Sequence, residues 1–325
     1  MKRSTLALLI VASALVIAGS VIFALAMTMA NWNFASLDTS KYSQNIHVIK
    51  EDFNNISIDI KSADIIFIRS QDEKASVISY EKEKLQSAVS VDGDTLVIKT
   101  VDTRKWYDYI SIGGFKTPKI TVYLPKSAYD SLLIKSSTGD VEIPNDFYFE
   151  KAEISASTGD IDFLSSGGDI KIKLSTGDAE ITNINADSID VTTSTGEIVL
   201  SDIVCTGDIK TKVSTGKTKL YSVKCENFSS IGDTGDLSLT DTLASNSLSV
   251  KRDTGDVKLE KCDAMEIKIE TDTGDIKGSL LSDKIFTVKT DTGYVKVPDS
   301  TPGCISTFNA KTDTGDIRIT VEKDN

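Results

Sequence analysis

One short motif, Ser/Asp-Thr-Gly-Asp, recurs along the chain at a nearly fixed interval. It is first complete at residues 137–140 and last at residues 313–316, and successive turn glycines lie 18–22 residues apart. A period near 19 sustained over ten copies is typical of a repeat array, in which each unit stacks on its neighbours. The turn glycines are Gly139, Gly159, Gly177, Gly196, Gly216, Gly235, Gly255, Gly274, Gly293 and Gly315.

Apolar residues hold fixed places within each repeat. The second and fourth residues after the glycine are apolar in most repeats, as in Val257 and Leu259, and a second apolar pair follows about 11–15 residues after it, as in Ile170 and Ile172. Two strands this short can bury a core only by stacking on neighbouring coils. The pattern therefore predicts an all-β chain, a β-solenoid (β-helix) of about ten 18–22-residue coils, with a rise of about 4.8 Å per coil.

The turn residues support this prediction. Thr-Gly at the centre of a turn is typical of type II, whose third residue takes a positive φ that glycine adopts cheaply. The flanking Ser or Asp can hydrogen-bond the local backbone. We therefore expect replacement of a turn glycine such as Gly255 to destabilise the fold.

The turns also carry an acidic column, because an aspartate follows most turn glycines. The residue two before the glycine is Ser in the first five turns and Asp in the last five. We favour carboxylates that cap turns in solvent; bound Ca²⁺ is the alternative, since Ca²⁺ takes several oxygen ligands. Beside the aspartates, every turn also carries a threonine. Regular threonine arrays occur on ice-binding solenoids, but these threonines lie in turns rather than on a flat face, which disfavours ice binding. The doubled acidic positions are Asp233, Asp236, Asp253, Asp256, Asp272 and Asp275.

Four cysteines stand 10–12 residues before the next turn glycine and form no CxxC motif. Zinc-ribbon and thioredoxin-type sites are thereby excluded. We expect small buried side chains. A disulfide between Cys205 and Cys225 is the alternative, because stacked strands bring Cα atoms about 4.8 Å apart.

The N-terminal segment predicts a transmembrane helix. Lys2 and Arg3 precede an uncharged run over residues 4–30 that is long enough to span a bilayer. The alternative is a signal sequence that is removed, since residues 24–26 read Ala-Leu-Ala, which resembles the small-residue cleavage site of a signal peptide. The positive-inside bias predicts a single-pass protein of the cell membrane, with a cytoplasmic N-terminus and an extracellular C-terminal domain. So short a cytoplasmic tail would need a membrane partner to transmit any signal.

The domain prediction follows from these patterns. It comprises a tail and anchor (1–30), a spacer (31–44), an N-terminal β cap region (45–130) and the repeat solenoid (131–325). Strands are expected at residues 45–50, 56–60, 65–68, 75–80, 95–100 and 119–124, with a degenerate turn at residues 62–64. The aromatic-basic cluster at residues 104–109 is expected to cover an open core end rather than to bind a ligand.

Four features combine over the region from about residue 45 to the end: residues 119–126 (KITVYLPK), residues 132–140 (LLIKSSTGD), the recurrent Thr-Gly-Asp turns and the opening at residues 55–58. Together they resemble the putative-adhesin family, bacterial β-strand-repeat proteins of unknown function. The resemblance implies an extracytoplasmic β-solenoid with an envelope or surface role. It supplies no catalytic, cofactor or metal residues.

Composition narrows the function further. A formal charge of −12 argues against nucleic acid and against simple attraction to anionic envelope polymers, and the single histidine, His47, excludes multi-histidine sites. Evenly recurring carboxylates do not converge as a polysaccharide-active site requires. We therefore expect a non-enzymatic binding, adhesion or scaffolding role at the cell envelope, towards an unidentified polymer or surface protein. An accessory sensor of envelope stress acting through a membrane partner is the alternative.

Overall fold

The computed structural model describes residues 3–29, 31–32, 41–106 and 117–322. Helix α1 (Arg3–Met29) contains an apolar stretch, Leu8–Met29, that is long enough to cross a membrane, a property that signal sequences share. Most of its described side chains, such as Leu8 and Ile22, lie exposed, whereas Met27 is buried. The remainder is a β-solenoid of about ten coils, as predicted. Its strands are β1 (Tyr42–Ile49), β2 (Asn55–Ser62), β3 (Asp64–Arg69), β4 (Ala75–Lys82), β5 (Leu85–Asp92), β6 (Thr95–Asp102), β7 (Lys119–Leu124), β8 (Ala128–Thr138), β9 (Val141–Ile143), β10 (Tyr148–Thr158), β11 (Ile161–Phe163), β12 (Ser166–Thr176), β13 (Ala179–Ala186), β14 (Ser188–Thr195), β15 (Ile198–Cys205), β16 (Asp208–Thr215), β17 (Thr218–Thr234), β18 (Leu237–Thr254), β19 (Val257–Cys262), β20 (Glu266–Thr273), β21 (Ile276–Leu280), β22 (Ile285–Thr292), β23 (Val295–Lys296), β24 (Thr307–Thr314) and β25 (Ile317–Val321).

Each coil contributes one strand before its turn and one after it, so the coils form two parallel ladders. The pre-turn ladder pairs, for example, β10 with β12 and β12 with β14. The post-turn ladder pairs β11 with β13 and β13 with β15. Equivalent residues of successive coils are directly opposite each other, so every side chain has a counterpart one coil away.

The core lies between the two ladders. Val257, Leu259, Ile170 and Ile172 are all buried, and the other inward positions follow the same pattern except in the coil of β22 and β23, where Val295 is 45% exposed. The prediction that the second and fourth residues after each glycine point inward is therefore confirmed. Because a strand alternates its faces, the third residue after the glycine points to solvent.

The repeat extends one coil further towards the N-terminus than the glycines indicate. β2 and β3 stack on β8 and β9, with Ala63 in the place of the turn glycine. The Asp140 amide donates to Asp64 Oδ1 at 3.1 Å, which confirms the degenerate turn predicted there. Beyond this coil, β6 and β7 add parallel strands, while β5, β4 and β1 add antiparallel ones that close the end.

The sequence analysis missed one strand of this end, β5. Its inward side includes Ser87, whose amide and hydroxyl donate to the buried Glu81 carboxylate at 2.8 and 2.6 Å. A polar pair in the interior interrupts the alternation of apolar and polar residues, so no strand was predicted there.

The other end departs from sequence order. β24 pairs with β20 on one side and β22 on the other, and β25 lies likewise between β21 and β23. The coil that is last in sequence is therefore inserted between two earlier ones, and the coil of β22 and β23 (the end coil) terminates the solenoid. The longest glycine spacing, 22 residues from Gly293 to Gly315, provides the returning loop between β23 and β24.

Candidate functional site: the turn edge

The turn glycines stack directly on one another, and the residues from two before to three after each of them form one line along the solenoid (the turn edge). A Cβ at Gly159 would lie 2.2 Å from the carbonyl oxygen of Gly139, which is closer than any real contact. The φ of the turn glycines, +129° to +155°, is positive as predicted but exceeds the approximately +80° of a type II turn. The type II prediction is therefore wrong: the chain makes an open corner, and glycine is needed both for φ and for close stacking.

The aspartates that follow the glycines form a second ladder. Asp160 Oδ1 accepts a hydrogen bond from the Asp178 amide at 2.8 Å, and Asp256 Oδ1 accepts one from the Asp275 amide at 2.8 Å. The same bond recurs along the edge, ending with the Tyr294 amide and Asp316. These carboxylates were expected to bond the local backbone. They instead bond the next coil, which explains their recurrence without any ligand.

Lys217 interrupts this ladder because its side chain cannot accept a hydrogen bond. Ion pairs occupy the gap: Lys217 lies 3.5 Å from Asp236, and Lys219 lies 2.6 Å from Glu197. Electrostatic contacts therefore link the coils where the hydrogen-bonded ladder is broken.

The doubled acidic positions are only partly available to a cation. Asp236, Asp256 and Asp275 each accept a backbone hydrogen bond from the next coil, and Lys277 also pairs with Asp275. Asp233 lies near the Arg252 guanidinium. Within the described ranges, no group of three or more His, Cys, Asp or Glu side chains could hold a metal ion.

Charge is segregated along the row formed by the third residue after each turn glycine (the outward row). Glu142, Asp162 and Glu180 lie in register on neighbouring strands. Burial, followed by repulsion from Glu180 and Glu142, raises the pKa of Asp162. Farther along, the same row becomes basic, with Lys219, Lys258, Lys277 and Arg318.

A groove of about 370 Å³ marks the basic half of this row. Ser238 leaves a gap between Lys219 and Lys258, and the lining also includes Lys217 and Lys277 (the lysine groove). Aspartates alternate with these lysines, and Leu237 and Val257 lie beneath them. The surface therefore offers cationic groups in a line parallel to the solenoid axis.

Two cations are buried in the interior. Arg252 is 1% exposed; its Nη2 donates to Ser230 Oγ at 2.8 Å, and burial lowers its pKa to about 10. Lys284 is equally buried and donates to the Ala264 carbonyl at 2.7 Å and to the Asp263 carboxylate. The sequence pattern did not predict the burial of Arg252, because its spacing gives no sign of it.

The remaining predicted features are distributed across the solenoid. Cys205, Cys225 and Cys262 are buried free thiols and Cys304 is half-buried, so the structure contains no Cys205–Cys225 disulfide. Trp106 is 77% exposed, which does not support its expected role in covering a core end. Residues 107–109 of the same cluster lie outside the described residues.

A family model matches most of the chain. The Toastrack DUF4097 family model matches the chain twice, over residues 53–212 and 187–325. The two matches together extend over the solenoid and its N-terminal layers. No curated protein sequence matches the chain.

Several solved structures resemble the chain at low identity. A protein from Bacteroides fragilis named a "putative adhesin" is 14% identical, with 86% of this chain and 97% of that chain covered and a TM-score of 0.42. A "putative adhesin" from Parabacteroides distasonis is 10% identical, with coverage of 74% and 98% and a TM-score of 0.45. A "putative lipid binding protein" from the same species is 15% identical, with coverage of 86% and 97% and a TM-score of 0.42. Similarity at this level assigns no function to the chain.

Proposed function

This chain belongs to the Toastrack DUF4097 family, and we propose that it is a non-enzymatic binding protein of the bacterial cell envelope, held at the membrane by α1. The helix supports the anchor because its apolar run is long enough to cross a bilayer. The turn edge supports the binding role. Repeat solenoids commonly use such extended regular surfaces for recognition.

The observation that carries the proposal is the segregation of charge along the outward row. An acidic half at Glu142, Asp162 and Glu180 gives way to the lysine groove farther along. Ligands interact with such a surface through opposite charge over several coils, which favours an extended partner over a small molecule. The net charge of −12 had disfavoured anionic polymers. The four lysines of the lysine groove are each paired with a carboxylate, so an anionic segment would bind there by replacing those carboxylates as the partners of the lysines.

The test is site-specific photo-crosslinking in the native envelope of the full-length protein. A photo-reactive residue at Ser238, at the centre of the lysine groove, is expected to capture a partner. The matched control carries it at Glu226, on the opposite bend of the coil that contains Lys219. Lys258→Glu with Lys277→Glu should reduce capture at Ser238, whereas Lys268→Glu on the pre-turn ladder should not.

The identity of the captured partner decides between the two candidate roles. An envelope glycan or an external protein supports binding or adhesion. A transmembrane kinase or transporter captured at the groove would instead support the sensor role. Equal capture at Ser238 and Glu226 would overturn the assignment of the turn edge as the binding surface.

A further inference from the structure

The two ends of the solenoid are finished differently. The antiparallel strands β5, β4 and β1 close the N-terminal end. At the other end, among the residues that the structure describes, β22 pairs only with β24 and β23 only with β25. The end coil therefore has an open strand edge.

The core of the end coil is also poorly covered. Phe286 and Val288 are half-buried, whereas Phe308 and Ile269, their counterparts in inner coils, are fully buried. Val295 is 45% exposed. Repeat proteins need a terminal unit that shields the core, and an open strand edge is a template for another chain.

The free edge of β22 can be located from its hydrogen bonds. The Ile285 amide donates to the Ser306 carbonyl, towards β24, and the Phe286 amide donates to Ser300 Oγ on the opposite side. Because successive peptide groups of a strand alternate direction, the amides and carbonyls of Val288 and Thr290 point to the open side. This alternation ends before the turn, because the Thr292 carbonyl accepts from the Gly315 amide and therefore points towards β24. The Ser300 loop covers only the start of the edge.

We propose that β22 pairs antiparallel with β22 of a second copy, centred on Thr290. This register places Lys289 of each copy opposite Asp291 of the other, and both Thr290 residues form the hydrogen-bonded pair at the two-fold axis. Centring on Lys289 would place like charges opposite each other, and centring on Val288 would place Asp291 opposite Ile285. Charge complementarity therefore selects the register centred on Thr290.

The resulting dimer is closed, because a two-fold contact uses the same surface on both copies. It pairs the open edges of the two β22 strands around Thr290 and leaves β23 of each copy without a new neighbour. The end coil lies at the opposite end of the solenoid from β1, so the N-terminal ends of the two copies point apart. The contact between the two copies does not depend on the membrane anchor. If each copy is anchored through α1, as proposed above, the dimer would also link two membranes.

The test uses the full-length protein in detergent and measures mass by native mass spectrometry. Wild type should be dimeric. Lys289→Glu and Asp291→Lys should each weaken the homodimer by about tenfold or more, because like charges then face each other. Mixing these two variants, carried on different affinity tags, should restore a heterodimer. The introduced glutamate of one variant then faces the introduced lysine of the other, and the unchanged Asp291 faces the unchanged Lys289.

The control is β24, which carries the same Lys-Thr-Asp pattern with a 2.9 Å ion pair between Lys311 and Asp313 but has a neighbour on both sides. Lys311→Glu and Asp313→Lys should leave the dimer unchanged, which separates the contact from effects within one strand. A monomeric wild type, or a mixture that forms no heterodimer, would overturn the proposal. Either result would leave the membrane anchor and the turn edge to their own tests.

Discussion

The Arg252 side chain occupies the space that a side chain at position 232 would fill. A Cβ built on Gly232 would lie 1.5 Å from Arg252 Nη1. The two residues are directly opposite each other on neighbouring coils, in β17 and β18. Gly232 therefore leaves space in one coil, and the long Arg252 side chain of the next coil fills it.

This relationship predicts strong coupling between the two positions. Gly232→Ala should lower the free energy of unfolding by about 1–3 kcal/mol through overpacking. Arg252→Leu should be close to neutral, because replacing a buried charge with an apolar group often is. Combined, the changes should restore most of the stability, with a coupling energy of about 1 kcal/mol or more in denaturant unfolding. Simple additivity would show that the guanidinium does not depend on this space.

The turn glycines should be more sensitive than glycines with a positive φ elsewhere. Gly159→Ala combines backbone strain with a clash against the carbonyl of Gly139, so we expect a loss of at least about 1–3 kcal/mol. Gly93→Ala is the matched control, since Gly93 has a φ of +60° and nothing within 4 Å of its Cβ position. Thermal unfolding should show the larger loss at Gly159. Equal losses of stability in the two variants would mean that the close contact between stacked turns costs nothing beyond the backbone strain.

The aspartate ladder predicts a difference between two carboxylates of one turn. Asp256→Ala leaves the Asp275 amide without its acceptor, so we expect a loss of about 1 kcal/mol. Asp253→Ala changes the same turn two residues before the glycine, outside the ladder, and should have little effect. Chemical denaturation of both variants distinguishes them, and a larger loss for Asp253→Ala would contradict the ladder.

The acidic half of the outward row predicts a pH dependence. The folded-state pKa of Asp162 is raised, so its ionisation opposes folding and the protein is relatively more stable when Asp162 is protonated. Asp162→Asn should therefore raise the melting temperature at pH 7. The gain should shrink as the pH falls through the folded pKa, and vanish below the unfolded value of about 3.9. Asp299→Asn, in the loop after β23, should show no such gain; a gain at Asp162 that persists at low pH would point to packing instead.

The thiols should differ in reactivity. Burial raises the pKa of Cys225 to about 12 and that of Cys262 to about 11, and alkylation requires the thiolate. At pH 8, iodoacetamide should modify the half-buried Cys304 first and the three buried cysteines only after unfolding. Mass spectrometry without reductant should find four free thiols. A mass lower by two hydrogens, mapped to Cys205 and Cys225, would instead show the disulfide.

Much of this architecture could be predicted because the repeat is short and its alternation is regular. The period, the inward positions such as Val257 and Leu259, and the degenerate turn at Ala63 all depend on local pattern. The direction of the aspartate bonds could not be predicted, because an Asp after a turn can bond its own backbone or the next coil equally well. Burial of Arg252 depends on Gly232, one coil away, which no local pattern reveals.

The order of the last coils was equally hidden. β22 and β24 both end in Thr-Asp-Thr before their glycines, so local sequence alone gives β20 little reason to prefer one of them. The longer spacing between Gly293 and Gly315 was the available indication. It was consistent with a simple surface loop as well as with a returning chain.

The inserted coil has a consequence for biosynthesis. β22 and β23 leave the ribosome before β24 and β25, yet the later pair lies deeper in the finished solenoid. At 5–20 residues per second, the nascent chain spends roughly 1–4 s with β22 complete and β24 unfinished. During that interval β22 can occupy the edge of β20 that belongs to β24. The winding of the solenoid therefore cannot follow synthesis to its end, because β24 and β25 must enter between strands that were made before them.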